Sequence, residues 1–114
     1  MQPDWATWLW DVRRAGALIG QFLAGFGIDE YVSDALVSSA VERQMTIIGE
    51  ALNRLSKSDP EVASGITDLG RIVGLRNIIV HGYTSVDKRL VWRLAVDSLP
   101  VLMNEVEALL AQQR

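Results

Sequence analysis

The sequence predicts an all-α chain, an antiparallel four- to five-helix up-and-down bundle with a kinked last helix. Three observations carry this. Long stretches repeat apolar residues every three or four positions, the spacing of one helix face. No run of β-branched residues alternates with polar ones between turn signals. The breaks between stretches are short, which favours antiparallel neighbours.

The first helix is expected from about Asp4 to Phe22, where Trp5, Trp8, Val12, Ala15, Ile19 and Leu23 fall at helical spacing. Gly25-Phe26-Gly27 ends it. The second and longest runs from about Ser33 to Lys57, with Leu36, Val37, Ala40, Val41, Ile47, Ile48, Ala51, Leu52 and Leu55 as its apolar stripe. Asp59-Pro60 stops it, and residues 60–67 read as a short connection. Asp68 is a candidate cap for the third helix, Leu69 to about His81, with Gly82 closing it. The fourth starts near Ser85–Asp87 and reaches Gln112, and Pro100 inside it should kink or divide it.

At 114 residues these segments make one domain with one core. Apolar residues are 49% and charged residues 22%, ordinary for a soluble globular protein. No cysteine is present, so disulfides and thiolate zinc sites are excluded, and a single histidine makes a transition-metal site improbable. The lack of cysteine fits a cytoplasmic location. No segment reaches the roughly 18 uninterrupted apolar residues of a membrane span. The Trp-rich start is interrupted by Asp4 and Asp11 and is expected to pack as a helix, not to act as a signal peptide.

Net charge is −3, which argues against a general nucleic-acid binder. The distribution points elsewhere. Between Arg71 and Arg93 stand Arg71, Arg76, Lys88, Arg89 and Arg93 against Asp87 alone, a local charge of +4. That window is either a solvated basic face or a focused anion site.

The same window holds the only histidine, in Leu75-Arg76-Asn77-Ile78-Ile79-Val80-His81-Gly82-Tyr83. Histidine titrates near neutrality, and arginine grips phosphate with a planar fork. Together they suit phosphodiester cleavage: His81 as base toward a ribose 2′-hydroxyl, Arg76 toward the charge developing on phosphate. Arg76 lies about 140° round the helix and one and a half turns back, within reach of its long stem. Asn77 can hydrogen-bond the imidazole or a ligand. Glu50, the only acid in its half of the second helix, either pairs with Arg76 or His81 or sits in water at the rim. Gly70, Gly74, Asn77 and His81 fall in about a 60° sector, with apolar residues on both flanks. Both flanks are therefore expected to be buried, with the glycines admitting a neighbouring backbone. A lone histidine at a helix end also serves as a cap, so spacing alone leaves the catalytic reading open.

Arg76-Asn77-x-x-x-His81-Gly82-Tyr83, followed by Val86-Asp87 and Val91-Trp92, resembles the HepT-like family of HEPN-domain proteins. Ala40-Val41-Glu42-Arg43 and Ile48-Gly49-Glu50-Ala51 resemble its other signature, and Leu99-Pro100 matches a break in the family's last long helix. The resemblance spans about Val32 to Leu110. One departure is Thr67-Asp68-Leu69-Gly70, where many relatives have Pro-Trp.

The resemblance implies a HEPN-like homodimer with both Arg–His motifs near a shared cleft. It implies the toxin of a type II-like or type VII toxin–antitoxin pair: a metal-independent endoribonuclease needing no cofactor, with transfer RNA as the expected substrate. Arg76 and His81 would be catalytic, Asn77 and Glu50 supporting, and Arg71, Lys88 and Arg89 would bind RNA. The partner would be a minimal nucleotidyltransferase that neutralises the toxin by attaching AMP to Tyr83. From the residues alone, Tyr83 is equally a stacking platform for a base or a core aromatic. Two other functions stand beside this one. The chain could be a catalytically inactive HEPN module that binds and scaffolds the nucleotidyltransferase, or an antitoxin whose partner is the toxic component.

Overall fold

The computed structural model describes residues 4–82 and 86–112, and every regular element among them is helical. Ser85 as a start of the last helix, and Tyr83, lie outside the described residues. The chain runs α1 (Asp4–Leu23), α2 (Ile28–Ser33), α3 (Ala35–Ser58), α4 (Pro60–Ala63), α5 (Leu69–His81), α6 (Lys88–Arg93), a π-helical turn (Leu94–Ser98) and α7 (Leu99–Ala111). This is the expected helical bundle.

α3 is the central element, packed between α1 and α5. Its stripe Val41, Met45, Ile48, Leu52 and Leu55 is almost fully buried against Leu9, Val12 and Ile19 of α1 and Ile72 of α5. α7 closes the core with Leu102 and Val106. Side-chain caps fix where the helices start: Asp34 Oδ1 accepts from Val37 N at 2.9 Å, and Asp87 Oδ1 from Arg89 N at 3.0 Å. α1 ends through Gly25, whose φ of +82° suits glycine alone.

The structure departs from the sequence expectation at four places. α2 and α4 occupy stretches read as turn and connection. Each is set by its cap, since Glu30 Oε1 accepts from Gly27 N at 3.0 Å and Asp59 Oδ1 from Val62 N at 3.2 Å. Asp68 stands at the cap position of α5 but its side chain makes no capping bond; it lies 3.8 Å from Arg71. The start of α5 is held instead by α7, where Glu105 accepts from Thr67 N at 3.1 Å and Thr67 Oγ1 at 2.6 Å.

The last helix is divided ahead of Pro100 as expected, widening into the π turn and then continuing. Proline lacks an N–H and crowds the carbonyl four residues back, and the wider turn re-routes the Leu99 N–H to Leu94 O. Finally, α5 is not buried on both flanks. Ile72, Leu75 and Ile79 face the core, while Ile78 is 46% and Val80 39% exposed.

Candidate active site

The site is built on one close approach. Gly49 is buried in α3, and a Cβ there would stand 2.3 Å from Arg76 Cβ and 2.8 Å from its Cγ. Residue 49 must therefore lack a side chain for the Arg76 stem to cross α3. Gly70 and Gly74, expected to make such an approach, meet nothing within 4 Å of an added Cβ. No pattern in a single sequence distinguishes a glycine under a neighbour from one on an open face. The signal that could have found Gly49 is its place mid-helix, where glycine costs about 1 kcal/mol relative to alanine.

Having crossed α3, Arg76 is held at two nitrogens. Its Nη2 donates to Glu50 Oε2 at 2.5 Å, and its Nη1 donates to Asn77 Oδ1 at 2.8 Å. The pair is partly buried, with 22% of the Arg76 side chain and 38% of Glu50 exposed, so it is screened less than a surface pair. Arg76 Nε is buried without a hydrogen-bond partner among the described residues. Glu50 also lies 3.4 Å from Arg54 Nε, so one carboxylate links two guanidinium groups. Of the two positions open to Glu50, the structure takes the ion pair with Arg76. Asn77 is bonded to Arg76 and not to the imidazole.

His81 is the last residue of α5 and is exposed. Gly82 follows with φ −124°, its N–H bonded to Ile78 O at 2.7 Å, so the helix closes without a left-handed residue. The guanidinium and the imidazole thus come from one helix, the first clamped against α3 and the second open to solvent. A clamped cation and an exposed imidazole on one helix suit a ligand that brings both an anionic group and a proton donor.

The three outer cations hold partners outside the Arg76 clamp. Arg71 is in the first turn of α5, about 15 Å along the axis from His81. Arg89 pairs with Asp29 at 3.1 Å, and Lys88 Nζ donates to the buried Ser38 Oγ at 2.8 Å. Among the described residues, no three His, Asp or Glu side chains cluster as a metal site, and no helix is long and apolar enough to cross a membrane.

The sequence profile of the family described as "Ribonuclease HepT-like" matches residues 12–109. The chain belongs to the HepT-like ribonuclease family. Three relatives are similar along most of their length. The protein named "Putative RNase MJ1380" of Methanocaldococcus jannaschii is 28% identical over 91% of this chain and 94% of its own. "Putative RNase TTE0752" of Caldanaerobacter subterraneus is 29% identical over 79% and 80%. "Probable ribonuclease HepT" of Thermococcus cleftensis is 27% identical over 96% and 98%. No solved structure matches this HepT-like chain significantly.

Proposed function

We propose that the chain is a metal-independent endoribonuclease acting as the toxin of a toxin–antitoxin pair. One observation carries the reading: the helix that ends in the exposed His81 also carries Arg76, fixed by Glu50 and Asn77. In the proposed step, His81 takes the proton of a ribose 2′-hydroxyl, whose oxygen attacks the adjacent phosphorus. The phosphorus–5′-oxygen bond breaks, the leaving oxygen takes a proton, and a 2′,3′-cyclic phosphate remains. Arg76 stabilises charge on the non-bridging oxygens. Arg71 and Arg89, whose ion pairs are exposed and cheap to exchange, would meet flanking phosphates with Lys88 behind them.

Two copies would pair so that both motifs border one cleft. A minimal nucleotidyltransferase would act as antitoxin by attaching AMP to Tyr83, two residues past His81 in the sequence, adding a bulky anion to the motif. Intact-mass measurement of the chain produced with and without that partner tests this step; an unmodified chain in both cases overturns it. For catalysis, purified protein is expected to cut RNA in the presence of chelator, leaving cyclic phosphate ends. Arg76→Ala and His81→Ala should each abolish cleavage, and survival of activity in both overturns the reading.

One observation favours the alternative of a catalytically idle module that holds the nucleotidyltransferase. Glu50 already neutralises Arg76. That reading expects tight partner binding and no growth arrest when the chain is expressed alone.

A further inference from the structure

The chemistry proposed above does not use the cleft between α1 and α3. Its volume is about 350 Å³, within the range of small-ligand sites. One wall is Trp8 of α1, half-buried against the core. Arg43 and Arg54 of α3 line it together with Asp11. Glu50 also lines it, and is the carboxylate that holds Arg76 at 2.5 Å. A ligand in the cleft is thus separated from the clamped guanidinium by one side chain.

The charged groups of the cleft differ in availability. Asp11 lies 3.4 Å from Arg14, and Glu50 is shared by Arg54 and Arg76. Arg43 forms no ion pair among the described residues and is exposed. The Trp8 ring is stacked on no cation or aromatic among them, unlike Trp10, which carries Arg13, and Trp92, which meets Tyr31. An unneutralised guanidinium next to an unoccupied indole matches a nucleotide unit. The first takes a phosphate by its fork, and the second takes the face of a base. Asp11 adds an acceptor for base N–H groups.

We infer that the α1–α3 cleft is an RNA subsite that holds the nucleotide beside the scissile linkage, its base on Trp8 and its phosphate on Arg43. This rests on the ribonuclease reading of Arg76 and His81 and extends it to how the strand is held.

The test is binding of a short single-stranded RNA to the His81→Ala protein, followed by fluorescence anisotropy. The intact strand is compared with a series carrying one abasic position each. Trp8→Leu is expected to raise Kd roughly tenfold for the intact strand, and to have no effect on the one strand whose missing base belongs in the cleft. Trp8→Phe, which keeps an aromatic face and the core packing, should retain most of the affinity. Arg43→Gln should lower the slope of log Kd against log salt by about 0.7, the share of one phosphate contact on a single strand.

If Trp8→Leu and Arg43→Gln bind every strand as the parent does, while Arg76→Ala and His81→Ala still abolish cleavage, the subsite is overturned and the catalytic reading stands. If the variants lose only a 5′-mononucleotide and keep the strand's Kd, the cleft serves a free nucleotide and the proposal is overturned. If the parent neither binds nor cuts RNA, both readings are overturned together.

Discussion

Arg76 is held by what residue 49 lacks as much as by what Glu50 supplies. A methyl at position 49 would meet the Arg76 stem at 2.3 Å, with backbone at 3.3 Å behind it. Gly49→Ala is therefore expected to destabilise by about 1–3 kcal/mol, in spite of alanine's better helix propensity. A thermal melt checks it, and RNA cleavage should fall with it because the guanidinium is displaced. Glu50→Gln keeps the shape and removes the charge. It should leave the fold intact and lower kcat more than it raises KM, since the carboxylate positions Arg76 and does not bind substrate. Arg76→Lys should be as inactive as Arg76→Ala: one ammonium cannot reach Glu50, Asn77 and a phosphate in fixed directions. Retention of more than a tenth of the cleavage rate by Arg76→Lys would argue against the clamp.

At the scale of elements, what the sequence made legible follows from length and periodicity. α3 was readable because an apolar stripe over many turns has no other explanation, and α5 because Asp68 and Gly82 bracket the stretch that carries Arg76 and His81. α2 and α4 were not, because six and four residues are too short for a stripe. Their stability lies in caps and packing: Tyr31 of α2 is fully buried against Trp92, ring centroids 5.5 Å apart. That contact places polar groups inside, between α2, α3 and α6. Burial, then the nearby Glu42, pushes the Tyr31 phenol well up. Burial likewise raises Glu42 above its usual 4.5, with Lys88 opposing. A carboxyl raised in the folded state weakens the fold as pH climbs. Below 4.5 both states hold the proton; above it the unfolded chain releases first, and stability falls until the folded group has ionised too. Glu42→Gln should remove that fall. Melting curves are expected to favour the variant at pH 7 and to coincide with the parent in acid below 4.5. A variant that gains equally at both pH values would show that the carboxyl is not the cause.

At the scale of the molecule, α5 buries one face and leaves the other open. Ile72, Leu75 and Ile79 look inward, while Ile78, Val80 and Asn77 are exposed next to Gly70 and Gly74, which face empty space. The sequence showed small and apolar residues on this helix but not which side the chain's own core would cover. An isolated helix face of this kind wastes apolar surface and two helix-weakening glycines, unless a second copy packs there. The open face runs toward the end of α5 that carries His81, so a symmetric pair would bring both motifs to one groove. Two substitutions separate this from a face that stays in water. In an isolated chain Gly74→Ala should stabilise by roughly 0.5–1 kcal/mol, because its Cβ meets nothing. In a pair packed on that face it should weaken association. Ile78→Arg, at a site already 46% exposed, should leave the fold intact and give a monomer by sedimentation equilibrium. Loss of RNA cleavage by that monomer is the expected result, with its circular dichroism and monomer melting temperature unchanged. An Ile78→Arg protein that sediments as the parent does, and cuts RNA as fast, would place the interface on another face and leave α5 an open helix.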